Sequence, residues 1–179
     1  MSGGSIKQNT AAENGGAVLV EKGGKFEMSG GSIEQNTAAQ HGGGVYVGEN
    51  GQFTMSGGSI SSNSTDIKNV DGKDEPIGQG GGVAVGANGS FNLSGGSISG
   101  NTAGEGGGVF VDRNANRQNG SFTMTGGVID GNTAKLGEGG GVYIKGEGEI
   151  TSGAITNNVT ETYKDLGGGG IYIEADGVL

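Results

Sequence analysis

Apolar residues recur along this chain in short alternating runs, never in the 3.6-residue rhythm of a packed helix. In Phe26-Glu27-Met28 a single polar residue separates two apolar ones, the spacing of a strand with one buried face. Ile33 marks a second run. In Val45-Tyr46-Val47 the valines share one face and the tyrosine takes the other. No segment carries a sustained helical period with capping signals, so the pattern predicts essentially no helix.

These runs belong to a repeating unit that reads roughly F-x-M-S-G-G-S-I-x-x-N-T-A, a linker, then G-G-G-V-Y-V and a turn. The Met column is Met1, Met28, Met55, Leu93, Met124 and Ile150, with steps of 27, 27, 38, 31 and 26 residues by subtraction. The Asn column, Asn9, Asn36, Asn63, Asn101, Asn132 and Asn158, takes the same five steps. Val18, Val45, Val83, Val109, Val142 and Ile171 form a third column that drifts only where loops are inserted. Two columns stepping together fix the register. They predict an all-β parallel β-helix, a β-solenoid of about six coils of 26–38 residues with three short strands per coil. The array covers residues 1–179 as one domain, with loop inserts near 64–79, 112–121 and 159–166. One unit alone buries almost nothing; stacking equivalent strands about 4.8 Å apart puts Phe on Phe and Val on Val, and six coils rise about 24 Å.

Composition changes the picture only through that period. Forty-five glycines with 31% hydrophobic residues would suggest a low-complexity chain if they were aperiodic. Placed periodically, they mark corners and close backbone approaches. Asn50-Gly51 recurs as Asn88-Gly89 and Asn119-Gly120, a pair that accepts positive φ. The Asn column reads as a structural ladder, in which stacked amides pass hydrogen bonds from coil to coil. A catalytic role would not place the same residue in every coil.

The formal charge of −9 argues against nucleic acid as a partner and against adsorption on anionic lipid. The chain has no cysteine, which excludes disulfides and thiolate metal sites. No apolar run approaches a membrane span, so no membrane insertion by this segment is expected. Both ends fall inside the repeat, as expected of a piece of a longer parent that supplies further repeats, an export signal and an anchor.

The pairing of I-x-x-N-T-A with G-G-G-V or G-G-A-V resembles the polymorphic outer-membrane protein repeat, which carries F-x-x-N and G-G-A-[ILV] motifs. Ile33-Glu34-Gln35-Asn36 matches the first motif with Ile in place of Phe, and Gly15-Gly16-Ala17-Val18 matches the second in full. Gly43-Gly44-Val45 puts Gly where that family prefers Ala. The likeness extends over all the units. It implies a right-handed helix of the pectin-lyase-like type, in a bacterial adhesin-like passenger that is secreted or held at the cell surface.

Binding or catalytic sites should break the repeat, since a chemical constellation is unique where a scaffold is periodic. The largest interruption lies between Asn63 and Val83, 20 positions against the usual nine. Its Asp71, Asp74 and Glu75 could gather oxygen ligands for Ca²⁺, although no EF-hand or nine-residue calcium repeat is present; a solvated loop is the simpler reading. The second insert holds Arg113 and Arg117, the only arginines, which could grip a carboxylated sugar or simply sit in solvent. The third carries Glu161, Tyr163, Lys164 and Asp165. His41, the single histidine, has no motif partner from which to build a triad.

Between the paired valines lies an outward column, Leu19, Tyr46, Ala84, Phe110, Tyr143 and Tyr172. An exposed aromatic stripe through Tyr46, Phe110, Tyr143 and Tyr172 would offer a face to a host or cell-surface glycan or protein. Ordinary cross-strand pairing is the alternative, and Ala84 interrupts the stripe. The expectation is therefore a non-enzymatic adhesin-like passenger or stalk segment with no catalytic residues and no resident cofactor. A polysaccharide-binding or polysaccharide-degrading domain and a purely structural spacer are the other two readings.

Overall fold

The repeat winds into a parallel β-solenoid whose coils stack strand on strand. The computed structural model describes residues 1–21, 23–70, 73–75, 78–161 and 167–179, and for 68–70 and 73–75 the backbone alone. Three parallel sheets line the rod, one of nine strands and two of six. Among the described residues there is no helix, and so none that is long and apolar enough to cross a membrane.

The nine-stranded sheet carries both the Phe–Met and the Ile runs. In the second and third coils they form single strands, Lys25–Glu34 and Gln52–Ser61; in the fourth they separate into Ser90–Leu93 and Ser97–Ser99. Like pairs with like: Phe26 with Phe53, Met28 with Met55, Ile33 with Ile60, and the intervening Ser-Gly-Gly is absorbed as a register shift. Two-residue strands such as Thr37–Ala38 make the second sheet, and the valine triplets such as Val45–Val47 make the third.

Inside, the core is a narrow column. Phe26, Phe53, Phe91 and Phe122 stack ring on ring with centroids 5.0, 4.7 and 5.3 Å apart. Ile33, Ile60, Ile98 and Ile129 and the valines of the third sheet from Val45 to Val142 are fully buried around them. A small apolar fraction is enough because each coil has only to cover its neighbours. The triple-glycine corner lets successive backbones pass in contact: a Cβ on Gly81 would lie 2.6 Å from the carbonyl oxygens of Gly107 and Thr102.

The corner before each ladder asparagine is left-handed, at Gln35 (φ 57°), Ser62 (φ 54°), Gly100 (φ 61°), Gly131 (φ 61°) and Asn157 (φ 53°). Asn50 and Asn88 take positive φ in their Asn-Gly turns, at 57° and 58°. Asn119 in the third pair does not, and the insert before it has Arg117 at 59°. There the insert closes its own loop: Arg113 bridges Asn119 antiparallel, and Asn114 Oδ1 accepts hydrogen bonds from the amides of Asn116 and Gln118.

The 64–79 insert, anticipated as a solvated loop, carries two short strands. Lys68–Val70 pairs antiparallel with Lys73–Glu75, so a hairpin stands on the solenoid.

Candidate functional site

The asparagine column stands at one corner with every amide group engaged. Asn63 donates from its backbone N and its Nδ2 to Asn101 Oδ1, at 2.9 and 3.0 Å. Asn101 in turn donates from Nδ2 to Ile60 O at 3.0 Å and to Asn132 Oδ1 at 2.9 Å. The pattern runs from Asn9 through Asn36 to Asn158. Two amide protons and two acceptor directions per side chain are thereby used, so the interior asparagines have no atom left for a ligand.

The aromatic column lies on the outward side of the valine sheet, in register Leu19–Tyr46–Ala84–Phe110–Tyr143–Tyr172. Its expected exposure is corrected here: Phe110 is 2% exposed and Tyr143 4%, and only Tyr46 and Tyr172 are half-buried. The reason is a pair of flanking columns. On one side stand the residues immediately before each glycine corner, Asn14 before Gly15-Gly16-Ala17 and His41, Gln79, Glu105 and Glu138 before triple glycines. On the other stand those immediately after each apolar triplet, Glu21, Asp112, Lys145 and Glu174 among them. His41 stacks on Tyr46 with ring centroids 6.1 Å apart, and Lys145 Nζ lies 5.3 Å from the Phe110 centroid and 5.4 Å from that of Tyr143. Phe110 and Tyr143 are thus roofed by neighbouring side chains and stack at 5.1 Å, with Tyr172 a further 4.9 Å on.

This flank gathers unusual electrostatics. His41 bridges Gln79 and Gln79 bridges Glu105 as a short parallel ladder, reinforced by Gln79 Nε2 donating to Glu105 Oε2 at 2.8 Å. Tyr143 Oη donates to Glu174 Oε2 at 3.5 Å, and Lys145 pairs with the same carboxylate at 3.9 Å. Glu138 is 7% exposed. Burial, and next the Glu105 carboxylate, push its carboxyl above the usual range. Burial and then Glu105 also drive the Tyr143 phenol far up, and burial raises Tyr172. Tyr46 rises through burial and then Asp112, while burial, opposed by Asp112, holds His41 below its ordinary value. Of the six described groups with a clear departure, five lie here and the sixth, Asp130, does not. The concentration makes this flank the candidate surface, although burial in a structural stack shifts such groups in the same direction.

Where Ala84 breaks the column, a cavity of about 50 Å³ opens between Tyr46 and Phe110, edged by His41, Gln79 and Asp112. The acidic flanking positions were missed in the sequence. The signal was present in the residue before each Gly-Gly-Gly and the one after each Val-x-Val, which carry charge wherever the aromatic column is occupied by a ring in the fourth and fifth coils.

Other sequence candidates are dispersed. Asp71 lies outside the described residues, and Asp74 and Glu75 sit on the hairpin with only their backbone described. Tyr163, Lys164 and Asp165 also lie outside. Arg113 pairs with Asp176 at 3.4 Å, Arg117 is exposed at the insert's tip, and Glu161 pairs with Lys135 at 2.7 Å. Among the described residues no three His, Cys, Asp or Glu side chains converge as a metal site.

Stacked parallel coils lined by three continuous sheets define a β-solenoid. The family model described as the right handed beta helix region matches residues 1–178, and the chain belongs to that family. No curated protein and no solved structure matches it.

Proposed function

We propose that the chain is a non-enzymatic, adhesin-like passenger or stalk segment of a secreted or cell-surface protein. It holds one flank of a stiff β-solenoid toward a glycan or protein partner. The observation that carries this reading is the aromatic column between two polar columns, with half-exposed rings at Tyr46 and Tyr172 and five of the six described groups of shifted pKa on it. Aromatic faces edged by hydrogen-bonding groups suit both sugar rings and protein side chains. The test is a screen of this chain against arrayed glycans and extracellular-matrix proteins, with and without Ca²⁺. A specific hit weakened by Tyr46→Ala or Tyr172→Ala, each checked for an intact melting transition, supports the reading. Silence under both conditions makes the segment a spacer.

A polysaccharide-acting enzyme is the second reading. Glu138, held toward its protonated form beside the Glu105 carboxylate, is the observation that favours it, because unlike carboxyls in one site divide acid and base roles. Turnover of any polysaccharide that is abolished by Glu138→Gln, or of a uronate polymer that depends on Asp71, Asp74 or Arg113, would replace the non-enzymatic reading.

A further inference from the structure

The third coil differs from both neighbours at one position on this flank and from the coil above it at a second. Ala84 stands where Tyr46 and Phe110 stand below and above it, and Gly86, like Gly48 below it, stands where Asp112 and Lys145 stand in the next two coils. Neither residue fills the space, and the recess of about 50 Å³ is the result. Tyr46 leans over it far enough that a Cβ on Gly86 would meet the phenol oxygen at 2.8 Å. What remains is too small for a sugar ring. It is large enough for an ammonium head and the carbon bearing it, since one water occupies about 30 Å³ of liquid.

The walls select charge. Tyr46 and Phe110 are aromatic, and Asp112 supplies a carboxylate with no ion-pair partner among the described residues. His41, depressed by burial, adds no positive charge at neutral pH, and its Nδ1 has no hydrogen-bond partner. Two coils further along, the same flank shows what such a combination holds. Lys145 Nζ lies within 5.4 Å of two aromatic centroids and 3.9 Å from Glu174. There the chain supplies its own lysine; at Gly86 it supplies none.

We infer that the Ala84 recess is a docking slot for the ammonium group of a lysine side chain on a protein partner, with Tyr46 and Phe110 giving cation–π contact and Asp112 the counter-charge. This deepens the binding role proposed above and rests on it. A lysine suits a narrow slot because its four-carbon stem carries the charge clear of the partner's backbone, whereas an amine set directly on a sugar ring brings the ring to the rim. The chain's net charge of −9 adds long-range attraction for a basic partner.

The test is an amide chemical-shift titration of the 179-residue chain with a blocked Gly-Lys-Gly peptide, its acetyl-lysine counterpart, and a glucosamine oligomer. The expected result is saturable shifts around Gly86, Phe110 and Asp112 with the lysine peptide and none with the acetylated one. Ala84→Phe, which continues the aromatic column through the recess, and Asp112→Asn should each weaken binding by about tenfold or more while melting transitions stay in place. Equal shifts from the acetylated peptide, or unchanged binding by both variants, overturn the slot. So does a glucosamine oligomer that saturates these resonances while the peptide does not. Silence from all three probes also overturns it. A partner found in the broader screen and still bound by Ala84→Phe would leave the adhesin reading standing without the slot.

Discussion

Asn63 donates from Nδ2 to Asn101 Oδ1 at 3.0 Å across a 38-residue step, and Asn36 donates to Asn63 at 2.9 Å across a 27-residue one. The ladder is indifferent to the insert because the added residues leave the coil after the ladder corner. Replacing Asn101 by Ala would leave the Asn63 backbone N and one Nδ2 proton without their acceptor and take the side-chain donor from the Ile60 carbonyl and from Asn132 Oδ1. A cost of about 2–5 kcal/mol in urea unfolding is expected. Asn101→Asp should be as damaging at neutral pH, since a buried carboxylate would face two acceptors. Its stability should recover as pH falls, because the protonated acid is the form the site tolerates. A variant whose loss does not change with pH would contradict this account.

Ser62 holds φ at 54° at the corner where the fourth and fifth coils place Gly100 and Gly131. A non-glycine residue pays a steric penalty there that Gly avoids. Ser62→Gly should therefore stabilise the chain by roughly 0.5–1 kcal/mol in the same unfolding assay. The identical change at Ser61, one residue earlier and within the strand Gln52–Ser61, should destabilise it, so the pair isolates the backbone term.

The stacked columns were legible because they obey a one-dimensional rule. Phe53 must sit on Phe26, and Asn101 beyond Asn63, for adjacent coils to match, so one chain aligned on itself reveals core and ladder together. The state of Tyr143 was not legible. Alternation says on which side of a strand a side chain projects but not what lies above it. Here the cover is Lys145, two residues along, together with the neighbouring rings and the backbone of the glycine corner, where a Cβ on Gly139 would meet Tyr143 Cβ at 2.8 Å. The recess at Ala84 was readable as an interruption, but its aromatic and carboxylate walls depend on how Tyr46 leans, which no spacing reports.

Glu138 gives the flank a pH signature. Its folded-state carboxyl sits above the ordinary glutamate value, so between that value and the raised one the folded chain binds more protons than the unfolded. Stability contributed by this group is then greatest below the ordinary value and declines as pH rises through the raised one. Glu138→Gln should raise the melting temperature at pH 7, and the advantage should shrink as the pH is lowered through that window. A melting temperature difference that stays constant between pH 7 and pH 4 would show that the burial of this carboxyl carries no proton linkage.

Phe91 stands at the middle of the core stack, 4.7 Å from Phe53 and 5.3 Å from Phe122 by ring centroid, and is fully buried. Its truncation to Ala should cost about 3–5 kcal/mol, the range for a large aromatic side chain lost from a packed interior. In a globular core that loss would be shared. In a solenoid each coil touches only its neighbours, so the damage concentrates at the contacts of the fourth coil and loosens the coupling between the two halves of the rod. Hydrogen exchange should show it as faster opening of Ser90–Leu93 and the facing Gln52–Ser61 and Ser121–Met124, with Val18–Val20 least affected. The unfolding transition should broaden as the two halves begin to melt separately. Uniform loss of protection from the first coil to the last, with a transition as sharp as before, would mean that the rod unfolds as a single cooperative unit.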